Sequence, residues 1–221
     1  MKGLLIKDFK LIFSNVRMLI AFIFISFFLL FSSNSAERYS FVISYLTIIS
    51  FMFVLSSISY DDFDHGLSFL MTLPVSRKTY VREKYCFGLL CGLAGWIFAL
   101  ILCLIFSIFG NAVPLSPDFM LTSAAIFLVL LFTLALTIPI QLKFGGDNGK
   151  IFIILLIGAL FVVGFAISKI AQKLHIDLES WFNKLFSMGA VPFTLMIAVL
   201  ALIALAVSYL ISVKIMRNKQ L

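Results

Sequence analysis

The chain has 221 residues, of which 62% are apolar and 12% are charged, and 26 of them are Phe. Soluble domains carry about 45–50% apolar and about 25% charged residues, so this composition excludes an ordinary soluble protein. Six membrane crossings of about 20 residues each would use more than half of the chain, which leaves no room for a separate soluble catalytic domain. The three Cys residues all lie within one apolar stretch, so neither a disulfide scaffold nor a spaced metal site is expected.

Six apolar stretches predict an all-α integral membrane protein with one transmembrane domain over residues 1–221. The expected spans are residues 16–33, 39–59, 86–109, 119–140, 151–168 and 191–213. The first stretch is the shortest, and the small residues at 33–36 would also suit the cleavage site of a signal peptide. Because five further spans follow, we expect the first stretch to remain as a transmembrane helix.

The basic residues predict which side of the membrane holds the termini. With six spans both termini lie on the same side, and that side holds 13 of the 17 Lys and Arg residues. The other side holds Arg38, Lys169, Lys173 and Lys184. The positive-inside rule therefore places both termini of this multi-pass protein in the cytoplasm. The net charge of +7 attracts anionic membrane lipids and gives no reason to expect a nucleic-acid partner.

Residues 1–15 predict an amphipathic helix that lies in the cytoplasmic interface ahead of the first span. Leu5, Phe9 and Ile12 recur at helical spacing, whereas Lys7 and Lys10 take the other side. Two interpretations stay open, namely a basic anchor that fixes the topology and a helix that moves as the protein works.

Residues 60–78, between the second and third spans, predict a short cytoplasmic helix with an apolar face. Phe69, Leu70 and Leu73 form this face, Pro74 must end the helix, and Ser76 can cap the helix that follows. A helix of about two turns outside the membrane is not stable alone. It therefore either binds a partner protein or docks on the spans or the lipid interface.

Several short motifs resemble the small permease subunits of type-2 ATP-binding-cassette (ABC) exporters. They are Gly-Leu-Leu-Ile-Lys-Asp at 3–8, Ser-Tyr-Asp-Asp at 59–62, Thr-Leu-Pro-Val-Ser-Arg at 72–77, Tyr80, and Lys84 with Tyr85. The resemblance spans essentially the whole chain, and the Leu-Pro-Val-Ser-Arg run is its most specific part. Among such permeases, the chain is similar to exporters of amphipathic peptide toxins, such as phenol-soluble modulins, in Gram-positive bacteria.

The resemblance implies a division of labour between subunits in a bacterial cytoplasmic membrane. A separate cytoplasmic ATPase dimer would hold ATP and Mg²⁺, so this chain would bind no cofactor and would not be an enzyme. Two permease subunits, identical or different, would form the export path for an amphipathic or hydrophobic substrate, as in peptide export. The helix between spans two and three would be a coupling helix that contacts the ATPase. The implied contact residues are Asp61, Asp62, Phe63, Asp64, Phe69, Leu70, Leu73 and Arg77.

The run Gly-Gly-Asp-Asn-Gly-Lys at 145–150 looks superficially like a phosphate-binding loop. That loop needs four residues between its Gly residues and a Ser or Thr after the Lys, so that amides and a hydroxyl can hold phosphate and magnesium. Here three residues separate the nearest Gly pair, and Ile151 stands in place of the hydroxyl. The run instead predicts a tight turn in which Asp147 or Asn148 caps the fifth span.

Residues 169–190, between spans five and six, predict external amphipathic helices that lie on the outer leaflet. Leu178, Trp181 and Leu185 recur at helical spacing, with Trp181 expected at the headgroup level. The resemblance implies that such helices form an external gate, whereas an aromatic anchor in the interface is an equally open interpretation. His175 has no second His nearby, so a solvated helix face is favoured over a metal site.

A polar stripe on the second span contains Ser40, Ser44, Thr47 and Ser50, within an arc of roughly 120°. These hydroxyls either bond to carbonyl groups of their own helix or line a translocation path. On the third span, the spacing of Gly88 and Gly92 predicts close helix packing instead.

Two other function classes remain open. An intramembrane enzyme would need converging acids, histidines or a metal site, and the spans offer hydroxyls without such partners. No span has a charge at its centre, which also disfavours an ion-coupled carrier. A non-pumping membrane scaffold, or an immunity protein that binds a toxin peptide, suits the composition as well as a permease does. Only the coupling-type helix argues against it.

Overall fold

The structure is a computed structural model that describes residues 2–14, 16–32, 37–63, 66–109, 117–145 and 189–219, with isolated positions between 148 and 169. The six ranges form α-helices without any β-strand, which confirms the all-α prediction for this part of the chain. The helices are α1 (Lys2–Ser14), α2 (Val16–Ser32), α3 (Glu37–Asp62), α4 (Gly66–Thr72), α5 (Arg77–Phe109), α6 (Pro117–Phe144) and α7 (Ala190–Asn218).

Four of these helices, α3, α5, α6 and α7, are long and apolar enough to cross a membrane. They correspond to the second, third, fourth and sixth predicted spans. Helix α2 has 17 residues and gives a fifth candidate when it is joined to α1, from which it is bent by 64°. The described residues therefore support four or five spans. The structure describes only isolated positions of the predicted fifth span at 151–168, and the external helices at 169–190 lie almost entirely outside the described residues.

The start of α5 and the end of α4 follow the sequence signals closely. The backbone N–H of Thr79 donates to Ser76 Oγ at 3.1 Å, which confirms Ser76 as the cap of α5. Helix α4 ends at Thr72, just ahead of Pro74, as predicted. Helix α5 begins at Arg77, well before the apolar stretch that starts at residue 86, because one side of its first turns, with Tyr80, Val81 and Lys84, is buried against other helices.

The helices bury two apolar clusters, one toward each end of the bundle. Val54, Val81, Phe87, Leu134 and Ile138 belong to the cluster nearer α4 and join α3, α5 and α6. The second cluster includes Leu30, Val42, Ile43, Ala99 and Cys103 from α2, α3 and α5.

Two Gly residues on α5 allow the helices to approach closely. A Cβ added at Gly88 would lie 2.6 Å from the side chain of Leu134 on α6, and one at Gly95 would overlap Ser50 on α3. Small residues at such positions are typical of membrane helix interfaces. The predicted close packing is therefore observed at Gly88 but not at Gly92, where an added Cβ would make only an ordinary contact with Phe127 at 3.9 Å.

A hydrogen-bonded group joins α5, α6 and α7 around Pro139, which lies inside α6. Pro has no N–H, so the carbonyl of Ala135, four residues earlier, loses its partner within the helix. The hydroxyl of Ser208 on α7 donates to this carbonyl. The Tyr85 hydroxyl on α5 lies 2.5 Å from Ser208 Oγ and 2.9 Å from Ser212 Oγ. Within the bundle, a side chain thus supplies the hydrogen bond that the Ala135 carbonyl lacks because of Pro139.

We predict that Ser208→Ala lowers the stability of the purified protein in detergent by about 1 kcal/mol, because the Ala135 carbonyl then has no donor. Thermal unfolding followed by size-exclusion chromatography measures the effect. Thr194→Val is the matched control, since the Thr194 hydroxyl bonds only to Val191 of its own helix in the described contacts. Equal stability of the two variants would contradict the assigned role of Ser208.

Candidate functional site

Large apolar side chains are exposed on the connecting segment, which we define as residues 60–77, from the end of α3 through α4 to the start of α5. Phe63 is 75% exposed, Phe69 68% and Leu73 44%. We call these three side chains the exposed apolar surface. They lie beyond the ends of the candidate spans. Exposed apolar groups of this kind mark sites of interaction.

The inner side of α4 fixes its position on the bundle. Leu67 is buried, and Leu70 packs against the same apolar cluster that contains Ile58 and Tyr80. A Cβ at Gly66 would lie 2.9 Å from the carbonyl oxygen of Asp61, so only Gly permits this approach without a shift. Helix α4 is thus anchored on one side and presents Phe69 on the other.

The end of α3 that leads into α4 is held by a buried group of charged side chains. Lys84 of α5 is fully buried, and its Nζ lies 2.5 Å from Asp8 Oδ2 on α1 and 2.7 Å from Asp61 Oδ2 on α3. The same ammonium donates to Ser57 Oγ at 2.6 Å. One Lys side chain therefore joins three helices. We call the whole group the Lys84 cluster, and its members are Lys7, Asp8, Ser57, Asp61, Tyr80, Glu83 and Lys84.

Asp61 receives further partners from both α1 and α5. The Tyr80 hydroxyl donates to Asp61 Oδ2 at 3.1 Å. Lys7 Nζ contacts Asp61 Oδ1 and lies 3.1 Å from Asp8 Oδ1. Asp61 is buried, with 5% of its side chain exposed, yet both of its oxygens are bound. Multiple charge-assisted hydrogen bonds of this kind offset part of the cost of burying a carboxylate.

Glu83 adds a third carboxyl group to the cluster. It is fully buried, and its Oε2 lies 3.6 Å from Lys84 Nζ. Neither of its oxygens has a hydrogen-bond partner among the described residues. Three carboxyl groups therefore face two ammonium groups, Lys7 and Lys84, in one buried region. The loss of either ammonium would leave buried negative charge without compensation.

The connecting segment is also tied to the C-terminal end of α7. Arg77 Nη1 donates to the carbonyl oxygens of Met216 at 3.2 Å and Arg217 at 2.7 Å. The last carbonyl groups of a helix lack partners within it, and Arg77 supplies donors for two of them. Lys219 Nζ lies 3.2 Å from Asp62 Oδ1. The segment is thus fastened to α1, α3, α5 and α7 at one end of the bundle.

The predicted coupling residues occupy three different environments. Phe63, Phe69 and Leu73 are exposed, whereas Leu70 faces the bundle. Asp61 lies inside the Lys84 cluster, although the resemblance implied that it contacts the ATPase. The side chains of Asp62 and Arg77 contact α7. Asp64 lies outside the described residues.

The polar stripe of α3 bonds largely to its own backbone. Ser44 Oγ donates to the Ser40 carbonyl at 2.9 Å, Thr47 Oγ1 to the Ile43 carbonyl at 2.6 Å, and Ser50 Oγ to the Leu46 carbonyl at 2.9 Å. Thr47 is buried, and Ser50 faces Gly95 of α5. These contacts favour self-satisfied hydroxyls in a helix interface, one of the two interpretations left open by the sequence.

Several other predicted features fall where the structure gives no description. The candidate gate residues Leu178, Trp181 and Leu185 lie outside the described residues, as do His175 and Asp147. Within the described ranges, no group of three His, Cys, Asp or Glu side chains is arranged to hold a metal ion. Cys86, Cys91 and Cys103 form no disulfide bond within the described part of the chain.

The Lys84 cluster was not predicted from the sequence, although most of its members belong to the motifs that resemble ABC exporter permeases. Lys7, Asp8, Asp61, Tyr80 and Lys84 belong to three stretches that are far apart in the chain. The available signal was the occurrence of opposite charges next to apolar stretches, with Asp8 on the helix ahead of the first span and Lys84 just before the third. Which acid meets which base depends on how the helices pack, and no spacing within one helix reveals it.

We predict that Lys84→Met destabilises the protein by about 3–5 kcal/mol, because Asp8 and Asp61 then lose a shared buried counter-ion. Chemical unfolding in detergent measures the change. Lys78→Met on the same helix removes an exposed ammonium and is expected to have little effect. If the two variants unfold alike, the Lys84 cluster does not hold the helices together.

Among the comparisons with known proteins, only the one with protein-family models gives a match. Neither the curated proteins nor the solved structures contain a match to this chain. A sequence model of the family described as "ABC-2 family transporter protein" matches residues 3–217. This match covers nearly the whole chain, including the connecting segment and the members of the Lys84 cluster. The chain therefore belongs to the ABC-2 family of transporter proteins, the membrane components of ABC transporters.

Proposed function

We propose that this chain is the permease subunit of an ABC exporter and that the exposed apolar surface docks onto a separate cytoplasmic ATPase. Membership of the family supports a transport component that works with an ATPase subunit. The observation that carries the docking proposal is the exposure of Phe63, Phe69 and Leu73 on a segment whose other side is firmly anchored. In this proposal the chain has six spans, both termini are cytoplasmic, and ATP and Mg²⁺ bind to the ATPase dimer.

The composition of the surface suits a contact that forms and changes during a working cycle. Two aromatic side chains supply the apolar centre, since Phe63 and Phe69 are both more than two-thirds exposed. Asp62 and Arg77 are polar residues of the same segment, and they contact Lys219 and the last turn of α7. A small apolar centre with a polar rim is typical of interfaces between subunits that are folded independently.

The Lys84 cluster connects this surface mechanically to the membrane helices. A force on α4 reaches Asp61 through the close contact at Gly66. From Asp61 it passes to α1 through Lys7 and to α5 through Lys84. Because these links are short and buried, the connecting segment moves together with the ends of α1, α3 and α5. We propose that ATP-driven movement of the ATPase is transmitted in this way.

A second permease subunit completes the export path in this proposal. The substrate is an amphipathic or hydrophobic compound, with a peptide as the favoured candidate, since the motifs resemble those of peptide-toxin exporters. Ser40 and Ser44 of the polar stripe are the proposed path lining, since Thr47 is buried and Ser50 packs against Gly95 of α5. The external residues Leu178, Trp181 and Leu185 are the proposed gate.

The alternative is a membrane scaffold or immunity protein that binds a toxin peptide without pumping it. Such a protein would have no use for an exposed apolar surface on the connecting segment. It would therefore tolerate substitutions at Phe63 and Phe69 without any change in function.

We predict that Phe63→Ala combined with Phe69→Ala lowers the amount of co-purifying ATPase subunit by at least about tenfold. Truncation of an aromatic anchor in an interface costs about 1–2 kcal/mol or more, so two such changes remove most of the affinity. The experiment purifies the tagged chain from its native membrane, identifies bound subunits by mass spectrometry and measures ATP hydrolysis.

The matched control is Ile108→Ala combined with Leu210→Ala, which also shortens two highly exposed apolar side chains but leaves the connecting segment unchanged. The control is expected to retain the ATPase. Both double variants should elute as folded protein, because the side chains that they shorten are exposed. An ATPase that stays bound to the Phe63 and Phe69 variant, or is absent from the wild type under gentle extraction, would favour the scaffold alternative.

A further inference from the structure

An apolar groove of about 970 Å³ runs between α6 and α7. Phe132, Leu136 and Ile140 of α6 line one wall, and Ile203 and Ile211 of α7 line the other. Ala135 and Ala204 lie between the walls, and their small side chains leave room for the groove. Pro139 also belongs to the lining. The groove is therefore formed by the side chains of α6 and α7.

The end of the groove toward the C-terminus of α7 carries positive charge. A second cavity of about 520 Å³ lies there and is lined by Lys143, Lys214, Lys219 and Asn218, together with Ile211 and Ile215. Lys143, Ile211 and Ile215 line both cavities, so the two are adjacent. Lys219 is paired with Asp62, whereas Lys143 and Lys214 are exposed, and no acidic side chain lines either cavity among the residues that the structure describes.

The length of the apolar part fits one leaflet of a membrane. From Phe132 to Lys143 helix α6 rises by about 16 Å, at about 1.5 Å per residue. The hydrocarbon core of a bilayer is about 30 Å thick, so this distance is about half of it. A ligand whose charged end lies at Lys143 would therefore place its apolar tail along the groove, within a single leaflet.

We propose that this site binds one anionic phospholipid, with its phosphate at Lys143 and Lys214 and an acyl chain in the α6–α7 groove. Basic clusters at the membrane surface attract anionic headgroups. The adjacent apolar groove offers a binding surface for an acyl chain, which a free phosphate does not have. The assignment to the cytoplasmic leaflet depends on the orientation in the proposed function, whereas binding of the lipid does not.

Charge decides between a lipid and a second copy of this chain. The end of the bundle that carries Lys143 and Lys214 also carries Lys78, Arg82 and Arg217, so a second copy seated over the groove would bring like charges together. An anionic lipid brings the opposite charge. Its acyl chain also needs no hydrogen-bonding partners from the apolar walls of the groove.

The test uses native mass spectrometry of the delipidated full chain in detergent, titrated with phosphatidylglycerol or with phosphatidylcholine of the same acyl chains. We expect one phosphatidylglycerol to bind in preference to phosphatidylcholine. Lys143→Gln combined with Lys214→Gln should weaken phosphatidylglycerol binding by about thirtyfold, since each basic residue near a headgroup contributes about a fivefold factor. The matched control is Lys78→Gln combined with Arg82→Gln, which removes two exposed charges from α5 and should keep the preference.

A third variant, Ala204→Trp, fills the groove and should weaken the binding of both lipids without removing any charge. The proposal is overturned if the two lipids bind equally to the wild type, or if the two charge variants lose phosphatidylglycerol to the same extent. It is also overturned if Ala204→Trp leaves lipid binding unchanged. Such a variant that instead converts a dimer into monomers would indicate that a second copy of the chain occupies the groove. Because no ATPase takes part, these outcomes are independent of whether the proposed function is correct.

Discussion

The buried ammonium of Lys84 is the interaction on which the arrangement of the helices at this end of the bundle depends. Removing charged groups from water is costly, and the cost is offset only when every charge finds close partners. Lys84 meets this requirement with Asp8, Asp61 and Ser57, which come from α1 and α3. Those contacts fix the place where α1 packs, the end of α3 and the start of α5. The connecting segment takes its position from all three.

An anchored segment with an exposed apolar surface joins the fold to the proposed function. Leu67, Leu70 and Gly66 hold α4 against the bundle, so that Phe69 projects outward in a defined direction. A flexible loop with the same residues could bind an ATPase but would transmit little of its movement. Buried ion clusters add little net stability compared with apolar packing, so we infer that this cluster serves chiefly to set the helix positions.

The sequence predicts the helices well and the contacts between them poorly. Apolar stretches located α3, α5, α6 and α7, and local chemistry located the ends at Pro74 and Ser76, because these signals act over a few neighbouring residues. The burial of Asp61 was not foreseen, since its partners Lys7 and Lys84 are distant in the chain. Likewise, the inward position of Leu70 and the outward position of Phe69 depend on how α4 lies on the bundle. The polar stripe of α3 was ambiguous for the same reason, as its role depends on the helix that it faces.

The most direct test of this account is a double-mutant cycle between α1 and α5, with Asp8→Asn, Lys84→Met and the pair together, read as the free energy of unfolding in detergent. The account predicts a coupling energy between the two sites of about 1–3 kcal/mol, because the two side chains share one buried contact. Effects that add to within about 0.5 kcal/mol would show that Asp8 and Lys84 act independently. That result would contradict the claim that the Lys84 cluster joins α1 to the rest of the bundle.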